Sequence, residues 1–148
     1  MTYKLDDKDL KIIEILKQHS DYTTREIAKK TLLPTTTVNN RIRKLKSEGV
    51  IKKFTIELDA DKTGKGFAAY ILISANLQLL KQKNKTQYDL VKEIKKFEFV
   101  DKADIVSGGT DIVALMRVRD VKEFDNALLN KLQNLEGIDR TQSLIVIH

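Results

Sequence analysis

Between Arg25 and Lys53 the chain carries nine positive side chains (Arg25, Lys29, Lys30, Arg41, Arg43, Lys44, Lys46, Lys52 and Lys53) against two acidic ones, Glu26 and Glu48. That surplus exceeds the +6 of the whole 148-residue chain, so the remainder is close to neutral and the basic charge is local. Val38, Ile42 and Leu45 recur at i, i+4, i+7, the spacing of one helical face, which turns Thr36, Asn40, Arg43 and Ser47 outward. A basic helix with hydroxyl and amide groups on its outer face has the chemistry to meet phosphates and base edges in a major groove. The same composition also describes a solvated helix face. Thr36 and Asn40 are the better base-reading candidates, because hydroxyl and amide groups make directional bonds while Lys44 and Lys46 mainly find phosphate. Arg43 suits either role. The nucleic-acid set is Thr35, Thr36, Thr37, Asn39, Asn40, Arg43 and Lys44. Arg41 lies about 60–70° from the centre of the apolar face at the helical repeat, and is expected to pair with an acid on the first helix.

A second constellation sits at Ser107, Gly108, Gly109, Thr110 and Asp111. A Gly-Gly turn exposes backbone N–H groups suited to a carboxylate, with Asp111 available for an ammonium. The plainer alternative is a hairpin turn. Thr141 and Ser143, on the last expected strand, are polar wall candidates for the same site.

Catalysis finds little support. His19 and His148 stand at opposite ends of the chain, Gly64-Lys65-Gly66 lacks the spacing of a phosphate-binding loop, and Asp59-Ala60-Asp61 reads as a turn. No nucleophile, base and orienting group form a set. Absence of cysteine excludes disulfides and thiolate metal sites and fits a reducing compartment. No apolar run approaches a membrane span, and the start of the chain lacks the apolar core of a secretory signal. No cofactor or metal is expected, and the expected location is cytoplasmic.

The elements that must position these residues follow from periodicity. Asp6 is placed to cap a helix carrying Leu10, Ile13 and Leu16, widened by Ile12 and Ile15. Thr23 and Glu26 have the spacing of a capping box for a second helix. Pro34 interrupts the pattern, and Gly49 is placed to end the third helix. Val50 and Ile51 continue into Phe54, Ile56 and Leu58, whose alternation indicates a strand, followed by a polar, Gly-containing boundary at 59–66.

Beyond it, strands are expected at 67–75, 100–106, 111–118 and 143–147, with helices at 87–97 and from Asp120 to Gly137. The order β-α-β-β-α-β is that of a ferredoxin-like sandwich, so the fold class is α+β: a three-helix, winged-helix-like helix-turn-helix domain (1–52), a hinge strand and linker (53–66), and a sandwich domain (67–148). Ile112, Ala114, Met116 and Val118 share one face of their strand, and Val113 and Leu115 the other. Leu144 and Val146 likewise oppose Ile145 and Ile147. Two helices cover only one face of such a sheet, so the second face calls for another cover, most simply a second subunit.

Leu5-Asp6-x-x-Asp9, Glu26-Ile27-Ala28, Val38-x-x-Arg41-Ile42-x-x-Leu45-x-x-x-Gly49-Val50-Ile51, and Val100 followed by Gly108-x-x-Asp111 resemble the Lrp/AsnC (feast/famine) transcriptional regulators over essentially the full chain. The resemblance implies a DNA-binding helix-turn-helix, a hinge strand, and a ligand-sensing domain that dimerises and often builds octamers. It also implies an amino-acid effector bound between dimers near the Gly-containing turn. Partners would then be double-stranded DNA, a small-molecule effector and further copies of the chain, with no membrane. An architectural DNA-binding protein without an effector is the alternative class; a small enzyme built on the sandwich is a third. One departure stands out. Leu32 occupies the place of the turn glycine, which requires a turn that is not strongly left-handed. Pro34 stands where a capping Ser is common, so that either Pro34 opens the helix or Thr35 caps it.

Overall fold

A computed structural model describes residues 2–147; His148 lies outside the described residues. The chain divides into two compact units, Met1–Glu57 and Leu58–His148.

In the first unit three helices form: α1 (Asp7–Gln18), α2 (Thr24–Thr31) and α3 (Thr35–Ser47). Reciprocal bonds start the first two. Asp6 accepts from the Asp9 N–H while Asp9 accepts from the Asp6 N–H, and Thr23 and Glu26 do the same for α2. Gly49, at φ +71°, follows the end of α3. The core gathers Ile12, Leu16, Ile27, Ala28 and Val38, with Ile42 and Ile51 packed against it.

Two expectations are corrected here. The buried stripe of α1 is Asp9, Ile12 and Leu16, whereas Leu10 is exposed. A charged residue can hold that stripe because its carboxylate is bonded by Tyr3, the Asp6 N–H and Arg41. Residues 50–58 form no strand. An alternating pattern supplies a face but not a hydrogen-bonding neighbour, and this segment has no ladder partner among the described residues. Ile56 is left 76% exposed.

The second unit is a four-stranded antiparallel sheet in the order β2-β3-β1-β4, from β1 (Phe67–Ala75), β2 (Val100–Ile105), β3 (Ile112–Val118) and β4 (Ile138–Ile145). Ala69, Ile71 and Ile73 join Ile112, Ala114 and Met116 on one face. There they pack under α5 (Gln87–Ile94) and α6 (Val121–Ala127), through Leu90, Ile94 and Phe124, and under Leu132 just beyond α6. This is the expected βαββαβ order. The opposite face, with Tyr70, Leu72, Val113, Leu115 and Leu144, has Tyr70 and Leu144 exposed and the others half-buried.

Four details differ from the sequence reading. A short helix, α4 (Leu77–Gln82), follows β1; Asn76 caps it by accepting the Leu79 N–H, and Leu80 is buried. The helix expected over 87–97 ends at Ile94. The helix after Asp120 passes at Leu128 into a π-helical turn to Leu132, where Gln133 N–H reaches the Leu128 carbonyl, so Leu129 faces solvent. The last strand begins at Ile138 rather than Ser143. Its early residues, Asp139 to Gln142, lie on an edge strand, where polar side chains are tolerated and the apolar alternation is lost. Gly137 precedes it at φ +103°; a Cβ there would meet Leu80 Cδ2 at 2.5 Å, so both conformation and space demand glycine.

Candidate nucleic-acid interface and effector cleft

The outer face of α3 is built by its inner one. Val38 and Leu45 are fully buried, and Ile42 is half-buried beside them. That anchors Thr35, Thr36, Asn39, Asn40, Arg43 and Lys44 in solvent, while Thr37 is half-buried. Thr36, Asn40 and Arg43 fall at i, i+4, i+7 on one exposed stripe. Arg41 leaves that stripe, as expected: its Nη1 bonds Asp6 Oδ2 and lies 3.3 Å from Asp9 Oδ1. The N–H that Asp9 gives Asp6 holds the Asp6 carboxyl below its usual pKa, and Arg41 adds to this. Tyr3 completes the group, its hydroxyl donating to Asp9 Oδ2 at 2.8 Å, and that bond raises the phenol's pKa. Lys44 Nζ lies over the Tyr3 ring and Lys46 Nζ over that of Phe54. Tyr3 has no place in the periodic pattern, which is why its role is not legible from spacing.

The turn into α3 corrects one expectation. Leu32 is left-handed, at φ +56° and ψ +31°, and is 90% exposed. A branched side chain there costs roughly 1–2 kcal/mol. The Leu32 and Leu33 N–H groups both reach the Ala28 carbonyl, which closes α2 and sends Leu33 toward the core. Pro34 precedes the first residue of α3 and offers no side-chain cap. The first N–H groups of α3 therefore face outward without a side-chain acceptor, in a field that favours anions.

In the second unit an open cleft of about 640 Å³ lies at one end of the sheet. Gly109 and Thr110 form one side, Leu72 and Ser74 of β1 the floor, and Arg140, Thr141 and Gln142 of β4 the other side. The N–H groups of Ser107, Gly108 and Gly109 bond no other backbone group among the described residues. Thr110 Oγ1 donates to the Ile73 carbonyl, which ties the turn to β1.

The structure separates the remaining expected residues from this cleft. Ser107 and Gly108 stand in the turn but outside the lining. The Asp111 carboxylate accepts the Ala75 N–H at 2.8 Å and the Gln87 side chain at 3.4 Å, so it fastens β1 to the hairpin. Ser143 pairs with Ile71 and shares the helix-covered face. Thr141 has the same parity and its hydroxyl accepts from Gln133 at 2.7 Å, yet unlike Ser143 it remains part of the cleft lining. Ser74, opposite Arg140, and Leu72, opposite Gln142, were missed. The strand's early start and the register shift after Ser74 decide which residues face the cleft, and neither is written in the local pattern.

Among the described residues no cluster of three or more His, Asp or Glu is placed to hold a metal, and no helix is long and apolar enough to cross a membrane.

Winged helix-turn-helix DNA-binding sequences match residues 5–52, and the Lrp/AsnC ligand binding domain matches residues 69–148. The HTH-type transcriptional regulator FL11 of Pyrococcus furiosus is 33% identical over 143 residues, covering 97% of this chain and 89% of its own. Among solved structures, the transcriptional regulator NMB0573 of Neisseria meningitidis, in complex with L-Met, has a TM-score of 0.86 at 21% identity, covering 98% of this chain and 91% of that one. AsnC of E. coli has a TM-score of 0.82 at 23% identity, covering 99% and 94%. Fold and matches together define a DNA-binding transcriptional regulator with a ligand-binding domain, not an enzyme. The chain belongs to the Lrp/AsnC family.

Proposed function

We propose that the protein is a sequence-specific regulator that reads DNA with α3, pairs through the open face of its sheet, and senses an amino acid or related small metabolite in the cleft. The observation that carries the DNA reading is the exposed Thr36, Asn40 and Arg43 stripe, held outward by buried Val38 and Leu45 within a basic stretch. Thr36 and Asn40 read base edges, Arg43 base or phosphate, and Thr35, Thr37, Asn39 and Lys44 position the helix on the backbone. Residues 1–52 form the DNA-binding domain, 53–66 the hinge and linker, and 67–148 the sensing and assembly domain.

The uncovered apolar face supports a homodimer, because an open patch of Tyr70, Leu115 and Leu144 gains most from a second copy of itself. Dimers assemble further, to an octamer. The cleft, with Gly109 and Thr110 on one side, is the effector site, and Ser107 and Gly108 supply N–H groups beside it. The L-Met complex of NMB0573 supports an amino-acid ligand. Thr141 belongs to the wall itself, and Asp111 and Ser143 support the walls from behind. The protein works in the cytoplasm.

The test is DNA binding by fluorescence anisotropy, on a selected operator and on random duplex. Asn40→Ala lowers preference at one half-site position by about 1–3 kcal/mol. Lys46→Ala weakens all sequences alike and reduces the salt slope by about one charge. Two-fold symmetry puts the half-sites about one helical turn, or a multiple, apart. Equal loss on both duplexes for Asn40→Ala removes its base-reading role.

A further inference from the structure

The cleft lining holds one cation, Arg140, and no carboxylate. Arg140 makes no ion pair among the described residues. It stands on β4 directly opposite Ser74 of β1, with Gln142 next along the same face opposite Leu72. Across the cleft is Gly109, whose N–H no backbone carbonyl takes; the N–H groups of Ser107 and Gly108 are equally untaken in the same turn, outside the lining. Asp111 is committed to the Ala75 N–H and Gln87, and neither it nor Asp139, beside Arg140 on β4, is part of the lining.

From this we infer that the effector is a small dicarboxylate. Resting on the sensing role given to the cleft, the inference fixes the ligand's charge. One carboxylate meets the Arg140 guanidinium, whose planar fork fits it bidentately. The other meets the N–H groups of the glycine turn. Arg140 lies on β4 and the glycine turn joins β2 to β3, with β1 between them; at about 4.8 Å per strand a single carboxylate does not use both. A cationic side chain would stand beside Arg140 with no anion to offset it, and an aliphatic one would leave the guanidinium without a partner. The hydroxyls of Ser74 and Thr110 are neutral acceptors, which admit an ammonium without requiring one. An acidic amino acid and its 2-oxo acid share this chemistry.

Calorimetry on the full chain separates the possibilities, using L-glutamate, 2-oxoglutarate, L-leucine, L-lysine and sodium sulfate as probes, with wild type, Arg140→Gln and Arg140→Lys. The expected result is binding of one or both dicarboxylates, with leucine and lysine at least about tenfold weaker. Arg140→Gln should lose about tenfold or more of dicarboxylate affinity, and Arg140→Lys part of it. Glutamate alone binding shows that the ammonium is recognised as well; 2-oxoglutarate alone shows that it is rejected. Either supports the dicarboxylate class. Leucine or lysine binding as tightly as the dicarboxylates, sulfate binding equally well, or an unchanged affinity in Arg140→Gln overturns the inference and leaves a sensor of another class. If none of the probes and none of the other free amino acids binds, the sensing role falls with it.

Discussion

Lys44 Nζ stands 4.9 Å from the centre of the Tyr3 ring, so a residue ahead of α1 fixes a cation on the outer face of α3. Through its hydroxyl the same tyrosine holds Asp9, which in turn holds Arg41. The aromatic ring and the hydroxyl therefore serve different ends. Tyr3→Ala should weaken DNA binding by about 0.5–1 kcal/mol through loss of the cation's platform. Tyr3→Phe should keep DNA affinity and lose about 1 kcal/mol of stability with the Asp9 bond. Anisotropy against salt and urea unfolding measure the two separately. Equal DNA affinity and salt slope in Tyr3→Ala and wild type would remove the positioning role.

Tyr70 lies opposite Leu115 on one side and Leu144 on the other, in the middle of the uncovered sheet face. Leu115→Asp should leave a folded chain that sediments as a monomer and binds DNA weakly, because one helix-turn-helix makes few phosphate contacts. Ile112→Asp, fully buried under the helices, should unfold the domain instead. A folded, dimeric Leu115→Asp protein would move the dimer interface elsewhere.

Gly109 and Gly108 are neighbours with opposite tolerances. A Cβ at Gly109 meets nothing within 4 Å and its φ is not positive, whereas Gly108 sits at φ +144°. Gly109→Leu should fold normally and lose ligand binding, since its side chain projects at the cleft. Gly108→Ala should cost about 1–3 kcal/mol of stability. Asp111→Ala should likewise cost about 1–3 kcal/mol, by freeing the partly buried Ala75 N–H rather than by removing a ligand contact. Thermal unfolding and calorimetry on the three variants check this. A fully stable Asp111→Ala protein that has lost its ligand would return that carboxylate to the binding site.

Asp6, Glu26, Asp89 and Asp120 each have their pKa lowered, first of all by a backbone N–H donated to the carboxylate at a helix start. A lowered folded pKa favours the ionised native state. The stability it adds is present above the unfolded values of about 4 and is lost as pH falls through the folded ones. Urea unfolding should show an acid limb below about pH 4 that shrinks in Asp6→Asn. An unchanged limb in that variant would show that the α1 cap does not contribute.

Local chemistry decided much of this protein before any packing. The reciprocal caps at Asp6 and Thr23, the apolar stripe of α3 and the βαββαβ order follow from spacings of three, four and two residues, which short-range hydrogen bonds and side-chain directions enforce. The outward Thr36, Asn40 and Arg43 face is legible for the same reason: once Val38 and Leu45 are buried, the opposite side is fixed by the helical repeat. What remained for the tertiary structure depended on partners far along the chain. Leu32 is left-handed because α2 must close and Leu33 must reach the core. Residues 50–58 keep the pattern of a strand without a neighbour to pair with among the described residues, so no strand forms there. Asp111 turned from a ligand candidate into a fastener because its acceptors met the Ala75 N–H, 36 residues away. Arg140 and Gln142 replaced Thr141 and Ser143 on the open face through the register of β4 against β1. A one-residue change of phase exchanges the faces of a strand, and only the pairing across the sheet sets that phase.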